Sequence, residues 1–260
     1  MARTWVLMRG LIREQRHWEG FGQQLAAVFP DDRIVMVDLP GNGSAHRQAS
    51  PTRIEAMVAA VRTDLSQRGL RPPFHVLALS LGGMVAINWM SEYPGEVAAA
   101  ALLNSSVSRF SPFWHRLQPD NYGTIIKKGL LAKTPLIREQ AVLSMTTNLL
   151  SESQRAEIAR RWCGYAVDAP VSRRNALRQL WAAARFKAPI RLPSGAPVLI
   201  IAGGEDRMVN PACSRAMARG WGVSLKLHPA AGHDITLDAG DWVADTLRDW
   251  LEPETVIAEE

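Results

Sequence analysis

The chain is poor in cysteine: Cys163 and Cys213 are the only two in 260 residues. Two thiols make no disulfide framework. Neither has a histidine-bearing motif beside it, so burial is expected rather than thiol catalysis. Long apolar runs are also missing, and no stretch approaches the ~20 residues of a membrane span. The opening MARTWVLMRG carries an early arginine. Its apolar run is too short for a secretory core and soon meets Arg9, Arg13 and Arg16, so no signal peptide is expected. These absences fit a reducing, cytoplasmic setting. No histidine, cysteine or carboxylate cluster has metal-ligand spacing, so neither a metal nor a cofactor is expected. A large excess of either charge is missing too. Thirty Lys and Arg against 25 Asp and Glu leave a net +5, spread in pairs such as Arg160–Arg161 and Arg173–Arg174. Such pairs are solvated helix faces, and no basic–aromatic interleaving points to nucleic acid.

What is present is a strand–helix alternation. TWVLM, RIVMVDLPG, FHVLAL, VAAAALLN, APVLIIAGG and SLKLHP read as strands. Helical spacing runs over His17–Phe29, from Pro51 to Arg68, from Gly82 to Met90, from Pro211, and from Ala239 to Leu251. That grammar predicts an α/β fold with a mostly parallel sheet of about six strands. From Ser105 to Ser194 it stops. Helical patterns near Ile137–Leu149, Ser153–Trp162 and Arg173–Ala184 take over. The expected organisation is a core of residues 1–104 and 195–260, with a helical lid inserted at 105–194. The closing PETVIAEE reads as a loose tail.

The stretch HVLALSLGGMVA carries the chemistry. A buried strand runs into Ser80, and a helix starts directly after it. That is the setting of a nucleophile elbow, where the residues two before and two after the serine must be small. Here they are Ala78 and Gly82. The helix N-terminus offers unpaired N–H groups to an oxyanion. A serine hydroxyl needs a base, and the base needs an orienting acid. Asp206 follows the strand APVLIIAGG, and His233 follows SLKLHP in the loop AAGHD. Both fall at carboxyl ends of predicted strands, where open α/β sheets place their sites. His228 is the alternative base. His17, His46, His75 and His115 stand in less suitable places. Asp234 has no evident way to orient its neighbour His233, and Glu205 points elsewhere.

These residues resemble the α/β-hydrolase superfamily, in ALSLGG at Ser80, GGEDRMVNP at Asp206 and AAGHD at His233. DLPGNG, from Asp38 to Gly43, is similar to the superfamily's D-x-P-G-x-G loop. The nearer likeness is to esterases of small acyl esters, including the pimeloyl-acyl-carrier-protein methyl ester esterases. The resemblance implies a serine hydrolase with Ser80 as nucleophile, His233 as base and Asp206 as orienting acid. It also implies an oxyanion hole built from the backbone N–H groups of Leu11 and Leu81. A carboxylic ester is the expected substrate, with an acyl carrier protein as an optional partner. A thioesterase, an acyl-carrier-protein methyl ester esterase or a C–C bond hydrolase would share the triad. A binding protein without catalysis is the reading from another class.

Two departures from the pattern stand out. Arg9 occupies the place of the usual histidine before Gly10 and Leu11. It is expected either to form an ion pair, with Asp38 or Glu14, or to hold a polar acyl group. Ala78 replaces the usual glycine. Phe110, Phe113, Trp114, Trp162 and Trp181 are candidates to line an acyl pocket, against a competing role in helix packing.

Overall fold

The computed structural model describes residues 2–130, 132–193 and 195–252; PETVIAEE lies outside the described residues. Six apolar runs become six strands: β1 (Thr4–Met8), β2 (Arg33–Val37), β3 (Phe74–Leu79), β4 (Val97–Leu103), β5 (Val198–Gly203) and β6 (Ser224–His228). They form one parallel sheet in the order β2-β1-β3-β4-β5-β6. The principal helices are α1 (Phe21–Val28), α2 (Ile54–Gln67), α3 (Leu81–Glu92), α4 (Pro135–Thr146), α5 (Glu152–Asp168), α6 (Arg173–Arg185), α7 (Ala212–Trp221) and α8 (Gly240–Leu251).

The inner strands are apolar at nearly every position because helices cover both faces of the sheet. Alternate residues point to opposite sides. Val6, Met8, Val76, Ala78, Ala100, Leu102, Val198 and Ile200 pack on one side with residues of α2, α3 and α7. Trp5, Leu7, Leu77, Leu79, Ala101, Leu103, Leu199 and Ile201 pack on the other with residues of α1 and α8. Each fully buried aliphatic side chain contributes roughly 1.5–3 kcal/mol.

One expected helix is broken. His17–Phe29 is a 3-10 turn (Gln15–Trp18) followed by α1, because Glu19 takes a φ of 48° and Gly20 caps the new start. A side chain in the left-handed region cannot continue a right-handed helix. Between β4 and β5 the described residues contain helices and no strand. α4 and α5 share a small core of their own, built on Leu143, Ile158, Ala159 and Trp162.

The strand order decides where a site can form. From β1 the chain first steps outward to β2, then returns to β3 on the other side. Crossovers therefore leave in opposite directions, and a crevice opens at the carboxyl ends of β1 and β3. Arg9, Gly10 and Leu11 follow β1, and Ser80 follows β3.

Candidate active site

Ser80 sits between β3 and α3 with φ 56° and ψ −114°. A non-glycine residue there carries about 1–3 kcal/mol of backbone strain, tolerated only where neighbours over-determine it. They do. Ser80 N–H donates to Leu103 O (2.8 Å), and Ser105 Oγ donates to Ser80 O (2.8 Å). The glycines explain themselves by close approach. A Cβ on Gly82 would lie 2.6 Å from Met8 O, and one on Gly83 would lie 2.6 Å from Ser105 Oγ. A Cβ on Gly10 would meet Ser80 Cβ at 3.0 Å. The end of β1 thus lies directly against the serine.

Asp206 and His233 meet from separate loops. His233 Nδ1 lies 2.7 Å from Asp206 Oδ2, and both side chains are buried. The other oxygen, Asp206 Oδ1, accepts the N–H groups of Met208 (2.8 Å) and Val209 (2.9 Å). The carboxylate is therefore locked in orientation, with one lone pair aimed at the imidazole. Burial alone pushes the His233 pKa down, but the Asp206 charge and hydrogen bond outweigh it, and the net shift is upward. Among the described residues no hydrogen bond joins Ser80 Oγ to the His233 ring. Serine–base contacts commonly tighten only when a substrate is bound.

The N–H groups of Leu11 and Leu81 donate to no described acceptor. Leu81 is the first residue of α3, whose initial N–H groups have no partner within the helix. Leu11 follows Gly10 in a turn closed by Arg13 N–H donating to Gly10 O (3.3 Å).

Arg9 is 2% exposed and pairs with Asp234, not with Asp38 or Glu14. Its Nη1 donates to Asp234 Oδ1 (3.0 Å), and Nη2 donates to Oδ2. Both terminal nitrogens are thus committed to Asp234, while the buried Nε has no partner among the described residues. Asp38 instead accepts from Gln15 N–H (2.7 Å) and Ser44 N–H (2.8 Å), and Glu14 pairs with Arg16.

The aromatic residues separate. Trp162 is 0% exposed and touches no open space. Its ring packs on His17 and under the Arg13 guanidinium, and its N–H donates to Glu19 Oε1 (2.7 Å). It anchors the insertion instead of lining a pocket. Phe110 packs edge-on against Trp221 at 5.2 Å and against Gly220. Phe113, Trp114 and Trp181 are exposed. His228 is not free to act as a base: Nδ1 accepts Ala231 N–H (3.0 Å), and the ring packs on Trp242. A polar depression of about 640 Å³ at Arg3, Asp31, Asp32 and Glu252 lies by the amino end of β1, away from all these groups.

Sequence reasoning missed the residues that join the serine and histidine loops. Leu103, Asn104 and Ser105 stand at the end of β4. Leu103 and Ser105 hold Ser80, as above. Asn104 Nδ2 donates to His233 O (2.6 Å) and Gly232 O (2.9 Å), while its Oδ1 accepts Gly203 N–H (2.8 Å). The signal was a short polar run, NSS, directly after an apolar strand at the carboxyl edge.

Residues 6–246 match a family model described as the alpha/beta hydrolase family. The chain belongs to that family. Solved structures agree on the fold. A meta-cleavage product hydrolase from Pseudomonas fluorescens superposes with a TM-score of 0.76 at 15% identity, covering 96% of this chain and 90% of that one. A hydrolase from Pseudomonas aeruginosa gives 0.74 at 19% identity, covering 96% and 90%. A thermophilic esterase from Thermogutta terrifontis gives 0.71 at 19% identity, with the same coverage of 96% and 90%. At such identities the likeness is one of architecture, and the chemistry must be argued from the site.

Proposed function

We propose that this hydrolase-fold chain is a serine hydrolase that cleaves a carboxylic ester through an acyl-enzyme. The observation that carries the reading is the buried Asp206–His233 hydrogen bond beside a serine in a strained elbow. Ser80 Oγ attacks the acyl carbon, and His233 takes its proton. The Leu11 and Leu81 N–H groups receive the oxyanion, each worth about 3–4 kcal/mol in the transition state. His233 then protonates the leaving alcohol. Water, deprotonated by the same imidazole, releases the acid and frees Ser80. Asp206 keeps the imidazole in one tautomer and stabilises its charged form.

The helical segment 105–194 acts in this reading as a lid. Its attachments to both catalytic loops support that role. Gln118 Nε2 donates to Asp206 O (2.9 Å), and Asp234 N–H donates to Thr146 O (2.8 Å).

The test uses purified protein and its Ser80→Ala variant on p-nitrophenyl esters of increasing acyl length. Turnover lost in the variant supports the reading, and the chain-length optimum sizes the pocket. A folded protein that hydrolyses no ester and takes up no fluorophosphonate at Ser80 would sink it in favour of a binding role.

A further inference from the structure

We propose that Gln179, on the helical insertion, is a positioning residue for the oxyanion hole. It holds the Gly10–Arg13 turn in the form that aims the Leu11 N–H. The proposal rests on the reading of Ser80 as nucleophile and Leu11 as donor.

The argument starts with Ile12. Its φ is 52°, a region that a β-branched side chain avoids. With the Arg13 N–H to Gly10 O bond, a left-handed third residue is the pattern of a type II turn, whose third position normally takes glycine or asparagine. Leu-Ile on its own favours the type I form, in which the central peptide is flipped. Something must hold the less favoured form, and among the described residues the one hydrogen bond to that central peptide comes from the helical insertion. Ile12 N–H donates to Gln179 Oε1 at 2.9 Å.

Gln179 is in turn fixed from behind. It is 0% exposed. Its Nε2 donates to Asn42 Oδ1 (2.8 Å) and Ser50 Oγ (3.0 Å). Ser50 Oγ donates to Pro40 O (2.7 Å), and Asn42 Nδ2 donates to Arg13 O (2.9 Å). One buried amide thus clamps both the middle and the far end of the turn, the latter through Asn42. The helix bearing it is built for this. α6 turns Asn175 and Gln179 inward together with Ala182 and leaves Leu177, Leu180 and Trp181 exposed, so two of its three buried side chains are polar. Beside the packing of Ala182 and Ala183 on the core, its attachment is a set of directional hydrogen bonds, and the turn beside Ser80 is one of their targets.

The Gly10 carbonyl and the Leu11 N–H share one peptide plane and point in opposite directions. The turn therefore sets where Leu11 N–H is aimed. Loosening the turn misdirects a donor whose value depends on its being fixed before reaction. The effect falls on the transition state, so kcat drops while KM stays.

The experiment compares wild type with Gln179→Leu, Gln179→Glu and Arg116→Met. Arg116 is the control: its Nη2 donates to Ala183 O (2.8 Å), which attaches the same helix without sharing a partner with Gln179 or the turn. With a small soluble ester, Gln179→Leu is expected to lower kcat roughly 10–100-fold at near-constant KM. Gln179→Glu keeps the acceptor for Ile12 and recovers part of the loss. Arg116→Met lowers Tm and keeps kcat within about twofold. Equal kcat losses in Gln179→Leu and Arg116→Met, or none in Gln179→Leu, would overturn the proposal. Hydrogen exchange at the Ile12 amide is read in the same proteins and needs no turnover. Protection in wild type that is lost in Gln179→Leu is expected, and unchanged protection overturns the proposal. A wild type that neither hydrolyses ester nor labels at Ser80 instead defeats the underlying reading, and with it the role assigned to Gln179.

Discussion

Arg9 and Asp234 form a two-pronged, buried ion pair that ties the residue after β1 to the residue after His233. The guanidinium also lies over the Trp18 ring at 4.9 Å. The position where the family usually has a histidine thus holds a cation that reaches across to the histidine loop.

Removing one partner leaves the other buried and unpaired. Asp234→Asn is expected to destabilise the fold by about 3–5 kcal/mol. Arg9→Met combined with Asp234→Leu is expected to cost less than either single change, because no lone charge remains. Urea unfolding of Asp234→Asn, of Arg9→Met and Asp234→Leu singly, and of their double variant checks this. Asp234→Asn with a wild-type midpoint would show that the pair contributes nothing.

In the proposed mechanism the pH dependence of activity follows from His233. There it is a base only when neutral, and its pKa is raised chiefly by Asp206 against the opposing effect of burial. The acid limb of kcat/KM is therefore expected above the ordinary histidine value of about 6.5. Asp206→Asn should move that limb down and cut kcat by roughly 10³–10⁴-fold. An unmoved limb in Asp206→Asn would separate it from His233.

Stability responds to pH through two histidines with opposite signs. The raised His233 pKa stabilises the fold fully below about pH 6.5, and that contribution fades as pH rises through the folded value. His17 is pushed well below its usual value by burial and by the Arg13 and Arg9 charges. Its unfolded form binds protons more readily, so stability falls as pH drops below about 6.5. His17→Gln should flatten the acid side of the stability curve, measured as the urea midpoint against pH. An unchanged slope would remove His17 from the account.

Asn104 tests the link between the loops. It takes a φ of 43° and makes three side-chain hydrogen bonds. Asn104→Gly relieves the backbone and removes the bonds, whereas Asn104→Ala keeps the strain and removes the bonds. Both are expected to lose about tenfold or more in kcat through a misplaced His233. The alanine variant should also be the less stable by thermal melting. Full activity in Asn104→Gly would show that the β4 end does not position the histidine.

The elbow makes a paired prediction. Gly82→Ala would put a methyl 2.6 Å from Met8 O, a backbone atom that cannot swing away. It is expected to cost several kcal/mol or prevent folding. Ala78→Gly restores the usual glycine and removes one buried methyl. It should cost about 1 kcal/mol and leave kcat unchanged. A large gain in kcat would mean that Ala78 obstructs the site.

Much of this protein is local and was legible in the sequence. Doubly covered strands must be apolar throughout, a strand–helix elbow must have small neighbours, and parallel strands must carry their site residues at one edge. Those rules pick out Ser80, Asp206 and His233 as candidates, and the structure brings Asp206 to His233 and places Ser80 in an elbow. The partners of long side chains do not. Arg9 meets Asp234 across 225 positions of chain, and Gln179 reaches Ile12 across 167. No spacing rule links such residues. Trp162 illustrates the same limit. An indole near a site fits a pocket or an anchor equally well by type, and only its burial between His17, Arg13 and Glu19 decides. Secondary structure and motif answer to neighbours along the chain. Pairing between elements answers to how the helices of the insertion settle on the sheet, which is fixed when the whole core closes.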